Sequence, residues 1–375
     1  MKKTFFSLFA ATTPGFEKIC ARELRSLALP DIEEVRGGVE FTGDLGGLYR
    51  ANLWLRSANR VLARVGSFRS RDFPRLYQRA LQLPWGRFIK PLTPVEVRVT
   101  SRGSRLMHSG RIAETVSSAL DRALGRTGNP PTGDEGKGAQ LVLVRIEDDL
   151  CCISVDSSGA LLHRRGYRSE AGAAPLRETL AAGLLMKSGW SGTTPLYDPF
   201  CGSGTLPIEA AMLAAGKPPG SNRLFAFMNW PRYRPGLWQA LVAETVRDRA
   251  DASLPFISGS DRDAEMIEIA RRNAHRAEVA QEVSFQVLEL TAQSPVPGPG
   301  LVFCNPPYGT RLGTAAGLAS LYRQFGQVCR ERFPGWQVAF ICPDPRLAEQ
   351  TGLSLSARGP FSNGGLQVHL YQTEL

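Results

Sequence analysis

Pro195-Leu196-Tyr197-Asp198-Pro199-Phe200-Cys201-Gly202-Ser203-Gly204-Thr205 joins a strand end, a glycine-bearing loop and the first residue of a helix. Gly202 and Gly204 let the backbone approach a ligand closely, in front of a helix N-terminus. The loop lacks the lysine of a G-x-x-x-x-G-K-[ST] phosphate loop, and Pro207 stands where a dinucleotide fingerprint needs its third glycine. A Gly-x-Gly alone is only a tight turn, so the next acid decides. Asp261, in Ser258-Gly259-Ser260-Asp261-Arg262-Asp263, falls at the end of the following strand, where a ribose hydroxyl pair needs a carboxylate. Asp263 reads as the N-cap of the helix after it. No basic residue in the loop awaits a pyrophosphate, whereas Asp198 suits a cationic sulfonium. S-adenosylmethionine fits better than a nucleotide phosphate. Glu289, after the third strand, reads equally as a contact to the adenine amine or as a surface glutamate.

About one hundred residues further on, the apolar run Leu301-Val302-Phe303-Cys304 closes on Asn305-Pro306-Pro307-Tyr308. An amine conjugated to a base ring or a carbonyl is a poor nucleophile, because its lone pair is delocalised. The Asn305 side-chain oxygen and the Pro306 carbonyl can accept its two hydrogens and aim the lone pair, while Tyr308 stacks on the ring. Such a transfer proceeds by positioning and in-line displacement, with no acid–base dyad, and the proton leaves afterwards. A paired base must first swing out of its stack. Adenine N6, cytosine N4, guanine N2 and a protein glutamine all present a comparable amine, and the tetrapeptide does not choose among them.

Outward from these motifs, residues 175 onward alternate strand and helix. Helices are expected over 176–187, 205–215, 264–277 and 318–333. Strands are expected over 195–198, 256–259, 283–288, 301–304 and 337–342, with a closing pair around Gly364-Gly365. That is a doubly wound, Rossmann-like α/β domain with ligands at the carboxyl ends of its strands. Of the five rings of the insertion 224–238 (Phe225, Phe227, Trp230, Tyr233, Trp238), most suit packing on an α/β edge more than stacking on neighbouring bases. The first 160 residues follow a mixed, α+β order: strand, helix, strands over 32–42, a helix over 45–63, a short helix over 75–83, a strand over 95–101, a helix over 112–123, and strands over 139–146 and 150–156. A polar surface loop fills 125–138, and a domain boundary falls near 163–174.

The chain of 375 residues carries a formal net charge of +10. Residues 50–115 hold 14 Lys and Arg against Asp72, Glu96 and Glu114, a local +11 that leaves the remainder near −1. Concentrated this way, the excess points to a polyanionic partner, nucleic acid, with Arg102, Arg105 and Arg111 as candidate phosphate contacts. Seven cysteines and four histidines show no metal-ligand spacing, and the unpatterned thiols suit a reducing cytoplasm as buried small hydrophobes. No stretch reaches the roughly 18 apolar residues of a membrane span. Residues 1–27 read as a strand and a helix rather than a secretory signal.

Residues 6–16 (FSLFAATTPGF), 49–56 (YRANLWLR), 162–168 (LHRRGYR), 174–178 (APLRE) and both ligand motifs resemble one family across nearly the whole chain: the bacterial THUMP-domain 23S rRNA guanine-N2-methyltransferases. Members often carry an adenine-specific DNA methylase label because of the tetrapeptide. The resemblance implies a ferredoxin-like segment at 1–50, a THUMP RNA-binding domain at 51–162 and an S-adenosylmethionine-dependent methyltransferase domain at 163–375. It also implies RNA as substrate, 23S rRNA first and tRNA as the alternative. Cofactor-binding candidates become Pro175, Leu176, Asp198, Phe200, Gly202, Ser203, Gly204, Thr205, Asp261, Arg262, Glu289 and Asn305. Asn305, Pro306, Pro307 and Tyr308 would face the target guanine. Glu289 departs from the family's usual aspartate. An adenine-N6 enzyme and a non-catalytic RNA-binding assembly factor are the remaining readings.

Overall fold

A computed structural model describes residues 5–126, 138–168, 176–247, 254–308, 315–363 and 365–375. The expected loop at 125–138 lies largely outside them. The first half contains β1 (Phe6–Thr12), α1 (Glu17–Ser26), β2 (Glu33–Val35), β3 (Gly38–Gly43), α2 (Leu45–Trp54) and β4 (Ala58–Arg69). It continues with α3 (Phe73–Leu81), β5 (Val95–Arg102), α4 (Ser109–Ala123), β6 (Gln140–Glu147) and β7 (Leu150–Asp156). These strands form one sheet in the order β2-β3-β1-β4-β7-β6-β5. Its pairs are antiparallel except β5 with β6, which α4 connects as a crossover.

The helix expected over 45–63 ends at Trp54, and its second part is instead β4, a 12-residue strand between β1 and β7. A long-range partner causes the break. The Glu23 carboxylate on α1 accepts the backbone N–H groups of Arg56 (2.7 Å) and Ser57 (3.2 Å), and also the Ser57 hydroxyl. Those N–H groups can no longer bond the carbonyls one turn back, so the helix stops.

The second half runs α5 (Glu178–Ser188), β8 (Leu196–Asp198), α6 (Thr205–Ala214), α7 (Pro235–Arg247), β9 (Ile257–Asp261), α8 (Ala264–Arg276) and β10 (Ser284–Val287). β11 (Leu301–Cys304), α9 (Ala315–Arg332), β12 (Gln337–Cys342), α10 (Pro345–Glu349), β13 (Ser356–Asn363) and β14 (Leu366–Glu374) follow. The sheet order is β10-β9-β8-β11-β12-β14-β13. β10 through β12 are parallel, and β14 and β13 close the edge antiparallel. All four residues of β11 are buried, as befits a parallel strand covered on both faces. The winding reverses between β8 and β11, where Leu301 pairs with Leu196 and Val302 with Tyr197. That reversal leaves a crevice above the strand tips.

The insertion overturns the expected packing site. Its rings do pack, but into the core of the first sheet. Phe227 stacks on Tyr49 at 4.4 Å, and Trp230 meets Phe88 edge-on at 5.1 Å while its Nε1 donates to Gln140 at 2.8 Å. With Phe225, Phe227 and Trp230 buried, these three rings are closed to bases. The reading over 224–238 also missed α7, which continues this strap. Phe16, just after β1, makes the reciprocal exchange and lies fully buried in the core of the second half. Six of the seven cysteines are buried and Cys152 is half-buried. Among the described residues no helix is long and apolar enough to cross a membrane.

Candidate active site

A cavity of about 820 Å³ opens above the switch point. Four loops line it: residues 198–203 after β8, 261–263 after β9, 288–290 after β10, and 305–308 after β11. Thr205 and Leu206 at the start of α6 and the first turns of α9 complete the wall. Two motifs a hundred residues apart in the chain therefore share one cavity, because β8 and β11 are neighbours in the sheet.

Asp198 ends β8 only 1% exposed, and its Oδ1 accepts the Phe200 N–H at 3.0 Å. Burial, aided by the nearby Asp261 charge, holds its pKa well above the usual carboxylate range despite that bond. Asp261 ends β9 in the parallel position, and its two oxygens accept Gly202 N–H and Asp263 N–H, each at 3.0 Å. The glycine loop and this carboxylate thus fix one another, and lone pairs remain on both oxygens for a diol. Asp263 is the N-cap of α8, accepting from Glu265 and Met266. Arg262 and Glu289 line the cavity from exposed positions. Leu176 lines it too, with its carbonyl held by Arg168 Nη1 at 2.8 Å. Phe200 faces the cavity with its ring edge-on to Phe325 of α9 at 5.8 Å.

Gly204 does not line the cavity. It caps α6 at φ +83°, a left-handed conformation that suits glycine, and any Cβ there would meet Phe285 at 2.9 Å. Its contribution is the close seating of helix on sheet. Pro175 lies outside the described residues. Arg102, Arg105 and Arg111 are exposed around the edge strand β5 and α4 of the first sheet, and none lines the cavity.

The acceptor turn has a property its sequence creates directly. Asn305 precedes a proline and is pushed toward extended backbone. An asparagine oxygen usually finds the backbone N–H two residues on, but Pro306 and Pro307 have none. The Asn305 Oδ1 is accordingly buried with no hydrogen-bond partner among the described residues. An unmade bond on a buried acceptor costs about 1–3 kcal/mol, which an incoming N–H donor would recover. Tyr308 is half-buried beside it, and burial raises its hydroxyl pKa.

The lining contains Asp198, Asp261, Asp263 and Glu289 against Arg262 alone, so among the described residues acids outnumber cations four to one. Such a site repels a phosphate chain and favours a cation. The sequence reading missed the apolar wall made by Met266, Leu288, Leu290, Leu318 and Leu321. Leu318 and Leu321 share a helix face, but that spacing marks a core stripe as readily as a cavity wall.

A sheet of this winding, with a glycine loop, an acid at the next strand tip and an acid-lined crevice, defines a methyltransferase that uses S-adenosylmethionine. Residues 165–372 match the RMKL-like methyltransferase domain, residues 7–62 the RlmL ferredoxin-like domain and residues 70–156 the THUMP domain. The chain belongs to this RMKL-like methyltransferase family. It is 35% identical to a Synechocystis protein described as a candidate RNA methyltransferase, over 98% of this chain and 96% of that one. It is 38% identical to the ribosomal RNA large subunit methyltransferase K/L of Methylococcus capsulatus, over 97% of this chain and 50% of that protein. It therefore spans about half the length of that relative. A solved candidate methyltransferase, SMU.472, holds S-adenosylhomocysteine and superposes with a TM-score of 0.85 at 32% identity, covering 100% of this chain and 99% of that one. A Listeria monocytogenes protein described as a predicted N6-adenine-specific DNA methylase gives 0.88 at 33% identity, covering 98% and 96%.

Proposed function

We propose that this chain methylates the exocyclic N2 of a guanine in 23S ribosomal RNA. The observation that carries transfer to a planar amine is the buried Asn305 Oδ1, without a partner among the described residues, in the same cavity as Asp198 and Asp261. In this reading Asp261 takes the ribose hydroxyls of the cofactor, while Phe200, Gly202, Ser203, Thr205, Arg262 and Leu176 enclose the rest of it. Glu289 faces its adenine. Asp198 lies against positive charge, and the apolar residues of β10's loop and of α9 cover the purine. When bound, S-adenosylmethionine supplies a methyl group activated by a sulfonium. Asn305 Oδ1 and the Pro306 carbonyl accept the two amine hydrogens, orienting the nitrogen lone pair, and Tyr308 stacks on the base. These groups set geometry and carry no proton in the step. The donor is a net cation and its product is not, so an acid-rich cavity holds the donor more tightly and lets the product leave.

The RNA assignment is supported by the THUMP match, by relatives named for ribosomal RNA methylation, and by the +11 concentrated in residues 50–115. A flipped-out guanine satisfies the cavity's need for a planar amine. The test is nucleoside mass spectrometry on RNA from a strain lacking this chain. We expect N2-methylguanosine to disappear from one 23S rRNA position and to return when the purified chain and tritiated donor are added. Unchanged N2-methylguanosine in both rRNA and tRNA refutes the proposal, and a loss confined to tRNA moves the substrate there.

A further inference from the structure

Asn363 is the last residue of β13 and is 8% exposed. Its Nδ2 donates to the Tyr308 hydroxyl at 3.2 Å, across 55 residues of chain. We infer that Asn363 is a positioning residue for methyl transfer, fixing the Tyr308 ring at the angle at which it covers the target base. The inference rests on the acceptor reading of residues 305–308.

Pro306 and Pro307 set the backbone up to Tyr308, but they leave the ring free about χ1 and χ2. Tyr308 packs against the core of the second half but lines the cavity and is only half-buried, so part of its side chain stays uncovered by the described residues. Pinning the distal hydroxyl restricts that rotation before a base arrives, which is ordering the binding step need not supply. A neutral amide does this without adding charge beside a cavity already rich in acid.

The strand that carries Asn363 is itself braced. Asn363 pairs with Leu366 across the β13–β14 hairpin. Two residues back, Phe361 stacks on Phe16 at 5.1 Å. Lys187 Nζ lies 5.3 Å from the Phe361 ring and donates to the Gly15 carbonyl at 3.3 Å. Gly15 and Phe16 follow β1 of the first sheet. The bond that holds Tyr308 is therefore carried by an edge strand whose buried Phe361 packs on Phe16, from the segment that follows β1.

The test uses the full chain, with 3-fluorotyrosine placed at position 308 and with Asn363→Ala, Tyr308→Phe and the double variant. Methyl transfer to 23S rRNA transcribed in vitro gives kcat and KM, and calorimetry gives the S-adenosylmethionine Kd. We expect either single change to lower kcat by about ten- to a hundredfold, with donor Kd and Tm unaltered. The double variant should be no slower than the slower single, because both changes remove the same bond. In the absence of RNA, the fluorine resonance should shift and broaden in Asn363→Ala. Multiplying losses in the double variant, an unchanged kcat in Asn363→Ala, or an unaltered fluorine line overturns the inference. If the parent chain methylates no transcript, the substrate reading fails separately, and the fluorine line still decides whether Asn363 holds Tyr308.

Discussion

Among the described residues both halves of the chain form a seven-stranded sheet, yet they gather charged groups by different means. In the second sheet the strands from β10 to β12 are parallel, so their tips face one way and the loops after them converge. Acids at the ends of β8 and β9 meet a turn from the end of β11 in one cavity. In the first sheet most neighbours are antiparallel, so successive loops alternate between its ends. Three of its arginines, Arg102, Arg105 and Arg111, lie exposed around the edge strand and α4 instead of lining a shared cavity with the acids. One arrangement suits a small cation held deep, and the other suits a long polyanion gripped along a surface.

The sharpest way to break this contrast is to remove the acceptor from the cavity. Asn305→Ala should lower kcat about 10²–10³-fold, the usual loss for a positioned hydrogen-bond group, while S-adenosylmethionine Kd hardly changes. An equal loss of donor affinity would put Asn305 on the wrong side of the reaction. A smaller effect should come from pH. A cationic donor needs Asp198 ionised, and burial has raised that carboxylate's pKa. Donor affinity should therefore fall as pH drops through this raised value, by up to about tenfold per unit, sooner than an ordinary aspartate would dictate. In Asp198→Asn, calorimetry should find weaker binding with that pH dependence removed. The mildest change concerns the basic edge. Reversing the charges of Arg102, Arg105 and Arg111 should flatten the slope of log K against log salt by about 0.7–0.9 for each phosphate no longer neutralised. Filter binding that returns the parent slope would show that these residues touch no phosphate.

Much of the second half was legible in order along the chain. Its buried strands read as short apolar runs that end on polar ligand residues, so Asp198, Asp261 and Asn305 could be placed on strand tips from residue order alone. The first half was harder. Residues 45–63 carry apolar spacing compatible with one helix, and only the distant Glu23 carboxylate, by taking the Arg56 and Ser57 N–H groups, divides them into α2 and β4. The rings of the insertion announced packing but not their destination, since Tyr49 and Phe88 lie well over a hundred residues away. Gly204 looked like part of the ligand loop because glycine freedom reads the same whether the space is needed for a ligand or for Phe285.

The amino-acid sequence alone determined the chemistry on offer: carboxylates at strand tips, a glycine loop without a basic partner, and an asparagine followed by two prolines that deny it a local N–H. Tertiary structure decided which of these groups share a cavity, that Asn305 Oδ1 is buried with no partner among the described residues, and that Asn363 reaches the Tyr308 hydroxyl. The reason is range. Backbone preferences and missing donors act between adjacent residues and are written in their order. Strand neighbours and side-chain bonds across many tens of residues arise only when the sheets close and the two cores exchange Phe16 for the insertion's aromatic rings.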